Sequence, residues 1–357
     1  MKTLDELLRD AMQRGGSDVF IIPFSPVSTK VSGQMTAISE EKVTLPEVQV
    51  LIDRAYELAN RSKHNLERDG DDDFSFAIRD VSRFRCNIYR QRGSLAAVFR
   101  VVAFGLPDPE KFHIPDLVMK LASLRSGMIL VTGPAGTGKS TTLACILDRI
   151  NQTRSGHIIT IEDPIEYLHP HKLCLVSQRE VPEDASSFAR AVRAALREAP
   201  DVIMLGEMRD VETISTAITA AETGHLLIST LHTLGAAKTI DRVIDAFAAE
   251  QQNQVRTQLS MVLRAVVSQR LVLGTDGVLY PVFEVMTVTP AIQNLIREGK
   301  THQIDNAISG AGSEMLSMDS ELARLARENK ITKEMARAYA LHPETMERQM
   351  RFGTMGR

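Results

Sequence analysis

The feature that most restricts this 357-residue chain is the run Gly133-Pro134-Ala135-Gly136-Thr137-Gly138-Lys139-Ser140. It fills every fixed position of the pattern G-x-x-x-x-G-K-[ST]. Its setting narrows the fold further, because the apolar segment Met128–Thr132 precedes it and Ser140-Thr141-Thr142-Leu143 opens a helical stretch. Glycines at such a strand-to-helix turn let successive backbone N–H groups point at phosphate oxygens. The helix N-terminus adds a partial positive charge at the same place. Gly133 to Thr141 are therefore the expected phosphate cradle, with Lys139 reaching the β- and γ-phosphates and the Ser140 hydroxyl on Mg²⁺.

Around that turn, short apolar strands alternate with longer helical stretches. Strands are expected at Met128–Thr132, His157–Ile161, Val202–Gly206 and Leu226–Thr230, and helices at Ser140–Ile150, Ser187–Glu198 and Val211–Glu222, the last stopped by Gly224. This alternation implies an α/β domain built on a mainly parallel sheet. The first hundred residues differ. Leu4, Leu7, Leu8 and Met12 share one helical face, Gly15-Gly16 stops that helix, and β-prone segments follow at Asp18–Pro23, Phe74–Ile78, Arg83–Tyr89 and Ala96–Val102. They read as a small α+β domain over residues 1–103. The Pro- and Gly-rich stretch 104–115 reads as a linker, and 116–357 as the phosphate-loop domain. Beyond residue 250 the pattern is largely helical, and the polar end from His342 to Arg357 is expected to fray.

A phosphate loop alone does not fix the chemistry, so the carboxylates matter. The strand Val202–Leu205 delivers Glu207 at its C-terminal end, where an acid can hold Mg²⁺ through water. Asp201, at the strand's other end, reads as a turn residue. Glu162 follows the strand His157–Ile161, which is expected beside the phosphate-loop strand, and there it could polarise a water for attack on a γ-phosphate. Spacing alone leaves a solvated turn acid equally open. The strand Leu226–Thr230 puts His225 and His232 at opposite ends. His232 could sense phosphate, while His225 reads as structural. Neither has ligand-spaced partners for a metal.

Bulk properties exclude several classes. Hydrophobic content of 43% and charged content of 24% are those of a folded globular protein. No apolar run reaches the roughly 18 residues a membrane span needs, and the acidic N-terminus lacks a signal-peptide core. Cys86, Cys145 and Cys174 have no paired spacing and suit a reducing compartment. A net charge of −3 argues against a dedicated nucleic-acid motor.

Taken in order, these blocks resemble the secretion ATPase superfamily of type II secretion and type IV pilus motors. The resemblance covers most of the chain. It runs from Gly15-Gly16-Ser17-Asp18 and Arg83-Phe84-Arg85 through the phosphate loop, Ile161-Glu162-Asp163-Pro164-Ile165-Glu166-Tyr167, Ser177-Gln178-Arg179-Glu180-Val181 and Ala194–Asp201. It continues through Gly206–Asp210 and Thr223–His232 to Gln251-Gln252-Asn253-Gln254. Within it the chain is most similar to the type IV pilus retraction ATPases, the PilT-like twitching motility proteins. It has no long N-terminal extension and no late four-cysteine zinc module, so no structural zinc is expected. Ala291–Glu298 resembles a retraction-branch signature, with Gln293 where that signature has arginine.

The resemblance implies a PAS-like domain followed by a RecA-like domain, ATP and Mg²⁺ as cofactors, and a homohexamer at the cytoplasmic face of the cell membrane. Its partners would be an inner-membrane pilus platform protein and a paralogous retraction ATPase, with no nucleic acid. Glu162 becomes the catalytic acid, Glu207 the second phosphate-site glutamate and His232 part of a nucleotide-responsive histidine block. Arginines acting on a phosphate bound by another domain or subunit would be Arg83, Arg85 or Arg100. The alternatives are an assembly or secretion ATPase, an accessory retraction ATPase, or, in a different class, an ATP-binding regulatory scaffold with little turnover.

Overall fold

The computed structural model describes residues 2–31, 33–79, 81–102 and 105–352. The chain divides into two compact units, residues 1–105 with 166–168, and 106–165 with 169–357. Ala103 and Phe104, where the first domain was expected to end and the linker to begin, lie outside the described residues, as do 353–357 of the expected fraying end.

The first unit opens with the helix Leu4–Gln13, whose Leu4, Leu7, Leu8 and Ala11 are buried at helical spacing. Thr3 and Glu6 cap it reciprocally: the Glu6 amide donates to Thr3 Oγ1 (3.3 Å) and the Thr3 amide to Glu6 Oε2 (2.8 Å). Six strands follow: β1 (Gly16–Ile21), β2 (Pro26–Val31), β3 (Gln34–Lys42), β4 (Asp71–Ile78), β5 (Ser82–Gln91) and β6 (Ser94–Val101). They form one sheet in the order β3-β2-β1-β6-β5-β4, antiparallel at every pairing. Alternation along β5 turns Phe84, Cys86 and Ile88 into the core. Strands β2 and β3 were not expected. In β3 only Ile38 is buried, so this edge strand carries almost no hydrophobic period to read.

In the second unit seven strands form the sheet β13-β12-β7-β11-β10-β8-β9. They are β7 (Gly127–Thr132), β8 (Gly156–Glu162), β9 (Cys174–Glu180), β10 (Val202–Leu205), β11 (Leu226–Leu231), β12 (Leu263–Leu273) and β13 (Leu279–Thr287). All neighbours run parallel except β12 and β13. Every residue of β7, β10 and β11 is buried, as a sheet covered on both faces demands. Ile129 and Val131 pack towards Leu143, Ile146 and Leu147 of the helix Lys139–Thr153. Met128 and Leu130 point the other way, into a core that includes Ile214, Ile240 and Leu259 of three further helices.

This is the α/β, parallel-rich architecture expected, with two corrections. The strand carrying Glu162 is not beside the phosphate-loop strand, because β10 and β11 lie between β8 and β7. Chain order does not give sheet order when helical crossovers allow later strands to insert. The region beyond residue 250 is also not simply helical. The long antiparallel pair β12–β13 extends the sheet there before the short helices resume. Val266-Val267 and Val282–Val285 carry β-branched residues suited to that setting.

Candidate nucleotide site

The phosphate loop hangs between a buried strand and the half-buried first turn of a helix. Gly133, Gly136 and Gly138 have φ of 145°, 76° and 86°, values an L side chain rarely adopts. Gly133 is constrained twice over, since a Cβ there would lie 2.2 Å from the Gln269 carbonyl oxygen. Pro134, Ala135 and Gly136 are exposed at the loop's crest. Thr137 donates its hydroxyl to the Pro134 carbonyl at 2.9 Å. The Lys139 ammonium is buried and donates to the carbonyls of Gly133 (2.8 Å) and Pro134 (2.9 Å), which holds it inside the loop. Ser140 and Thr141 follow in the first turn, half-buried.

Parallel pairing brings the other expected residues to the same edge of the sheet. The register sets Leu205 beside Ile161, and the Gly206 amide donates to the Ile161 carbonyl at 2.8 Å. Glu162 and Gly206 are therefore neighbours, and the Glu162 Cα would stand 3.4 Å from a Cβ on residue 206. On the far side of β10, the Met208 amide donates to the Thr230 carbonyl (3.3 Å) and the Thr230 hydroxyl to the Gly206 carbonyl. One strand further on, the Gly133 amide donates to the Leu231 carbonyl at 3.2 Å, placing His232 beside the start of the phosphate loop. Glu162, Glu207, His232 and Gly133 thus follow one another across the carboxyl ends of β8, β10, β11 and β7. Ligands of open α/β sheets bind outside such carboxyl ends.

The side chains at that edge are interlinked. Glu207 Oε2 lies 2.7 Å from Arg209 Nε and 3.5 Å from His232 Nε2. Glu162 is buried, its Oε1 accepting from the Thr160 hydroxyl (2.6 Å) and the Gln178 amide (3.3 Å). Four residues past His232 in the chain, the Ala236 amide donates to Glu284 of β13 at 2.8 Å, at the start of the helix Ala236–Asp245. Burial pushes its carboxyl up to about 7.

At the other end of the sheet the contacts are structural. Asp201 accepts from the His157 amide at 2.8 Å, against Gly156, where a Cβ would meet the carboxylate at 2.6 Å. His225 Nδ1 contacts the Ala220 carbonyl and the Thr223 hydroxyl, each at 3.1 Å. The described cysteines Cys86, Cys145 and Cys174 are buried and unpaired.

A divalent cation is tested by its donors. Ser140 and Glu207 offer hard oxygens, and no group of three or more His, Cys, Asp or Glu that could hold a metal occurs among the described residues. That set fits Mg²⁺ shared with substrate phosphates better than an all-protein cage. The arginines belong to the first unit. Arg83 pairs with Ala77 across β4–β5. Arg85 and Arg100 face each other across β5–β6, and Arg100 Nε meets Asp18 Oδ1 at 2.8 Å.

Gln269 escaped the sequence reading. It is buried in β12, donating Nε2 to the Thr137 carbonyl and accepting at Oε1 from the Thr142 hydroxyl at 2.8 Å. Its one signal was the polar pair Ser268-Gln269 directly after the apolar run Ala265–Val267. Buried polar groups of that kind need partners.

The family model described as type II/IV secretion system protein matches residues 1–351. The type IV pilus retraction ATPase PilT of Pseudomonas aeruginosa is 43% identical over 343 residues, 96% of this chain and 99% of the relative. A twitching motility protein of Neisseria gonorrhoeae is 43% identical over 344 residues, 95% of this chain and 91% of its own. The crystal structure of the pilus retraction motor PilT with bound ADP superimposes with a TM-score of 0.88 at 43% identity. That match covers 98% of this chain and all of the other.

Proposed function

The chain belongs to the type II/IV secretion system protein family, and on that premise we propose that it is a ring-forming ATPase that retracts type IV pili. The observation that carries this is the succession of Glu162, Glu207, His232 and the phosphate loop along one sheet edge. The near-complete alignment to retraction ATPases gives the direction of the work.

In this reading the loop amides and Lys139 take the β- and γ-phosphates of ATP, and Ser140 with Glu207 holds Mg²⁺. The bound Mg²⁺ neutralises charge shared by those phosphates. Glu162 accepts the proton of the attacking water. His232, in contact with Glu207, registers whether the γ-phosphate is present and passes that state into the helix Ala236–Asp245. One or more of Arg83, Arg85 and Arg100 meets the phosphate of a neighbouring subunit. Such an arginine is worth about 10³–10⁵ in rate.

The ring is a homohexamer at the cytoplasmic side of the pilus base, working on the membrane platform protein alone or with a paralogous retraction ATPase. No described helix is long and apolar enough to cross a membrane, so attachment would run through that partner. Light scattering of the purified chain tests the ring. The expected result is a hexamer's mass with ATP or a non-hydrolysable analogue, and a monomer's mass under every nucleotide condition would sink the proposal.

A further inference from the structure

The phosphate loop is held from outside itself, by one side chain on the neighbouring strand. Strand β12 runs parallel to β7 with Ser268 opposite Thr132, so residue 269 is the first to pass the end of the phosphate-loop strand. Alternation gives the two polar residues opposite tasks. The Ser268 hydroxyl accepts from the Gly235 amide (2.8 Å) on the histidine-block side. Gln269 lies on the face of Ala265 and Val267, which packs against the phosphate-loop helix.

There its amide spans the turn. Nε2 donates to the carbonyl of Thr137 in the loop, and Oε1 accepts from the Thr142 hydroxyl in the first turn of the helix. A backbone carbonyl only accepts, which fixes the amide's orientation. The same residue shapes the loop's glycines. A Cβ at Gly133 would collide with its carbonyl oxygen, and one at Gly138 would come within 2.9 Å of its Nε2. Both defining glycines of the loop therefore close onto Gln269.

We propose that Gln269 is a positioning residue for ATP binding, bracing Thr137 against Thr142 so that the loop amides face the phosphates before substrate arrives. The proposal rests on the nucleotide reading of the loop. Gln269 acts through Thr137 and Thr142, so its loss raises the binding cost of the cradle and leaves the hydrolytic groups in place. Preorganisation of this kind is felt in affinity.

The test uses the full-length chain, with affinity for a fluorescent ATP analogue and steady-state KM and kcat for ATP. Gln269→Met keeps the bulk and loses both hydrogen bonds. It should raise Kd and KM about tenfold to a hundredfold, the worth of two ordinary hydrogen bonds, with kcat changed much less. Gln269→Glu keeps the shape but sets a carboxylate against the Thr137 carbonyl and the incoming phosphates. Its defect should exceed that of Gln269→Met at pH 8 and shrink at pH 6, where protonation restores a donor; a merely structural lesion has no reason to follow pH this way.

A KM within twofold of wild type for Gln269→Met, or no pH dependence beyond wild type's for Gln269→Glu, would overturn the proposal. Should the Gln269 variants fail to fold, Thr142→Val cuts the outer half of the brace. A several-fold rise in KM supports the role and an unchanged KM removes it. Lys139→Ala separates the two levels of inference. If wild type binds ATP and Lys139→Ala does not, a normal Gln269→Met defeats this proposal alone. If wild type fails to bind, the nucleotide reading falls and takes the brace with it.

Discussion

Replacing Lys139 by alanine is expected to lower ATP turnover by about 10²–10³, the scale seen when a preorganised donor to developing charge is removed. The size follows from where the ammonium sits. It is buried and donates to the carbonyls of Gly133 and Pro134, within the loop whose amides face the phosphates. Alanine removes both the charge and the tie across the loop, so binding and turnover should fall together. Phosphate release from the purified variant checks this, and turnover near wild type would remove Lys139 from the site. The result also separates a motor from an ATP-binding scaffold, because a scaffold would show little hydrolysis to lose.

Glu162→Gln should cut turnover by about 10²–10⁴, the usual worth of a positioned general base, while ATP affinity stays within a few-fold of wild type. Glutamine is isosteric and keeps an oxygen for the Thr160 hydroxyl (2.6 Å), so the buried pocket survives. What goes is the proton acceptor. A single-turnover measurement with prebound ATP is the decisive form, since it isolates the chemical step from binding and product release. Loss of affinity with unimpaired chemistry would make Glu162 a structural residue and shift the search for a base to its neighbours. Glu207 would then be the first of these, one residue past Gly206 and held by Arg209.

How much of this was legible without coordinates depends on range. The phosphate loop was fully readable, because strand, glycines, lysine and helix are contiguous. Glu162, Glu207 and His232 were readable as residues that follow apolar strands, and a parallel sheet collects all such positions at one edge whatever its strand order. The order itself was hidden: nothing local places β10 and β11 between β8 and β7. Gln269 was hidden for the same reason, being 127 residues in sequence from its partner Thr142. The edge strand β3, with a single buried side chain, lacked the pattern that betrays a strand. Where a contact is made by neighbours in the chain the sequence states it, and where distant strands make it only the folded sheet does.

Whether ATP hydrolysis here withdraws pili is decided by counting surface pili on cells that lack this chain. Excess surface pili and no twitching are expected, reversed by the intact chain and not by the Lys139→Ala variant. Loss of surface pili would contradict retraction and assign the same ATPase site to assembly.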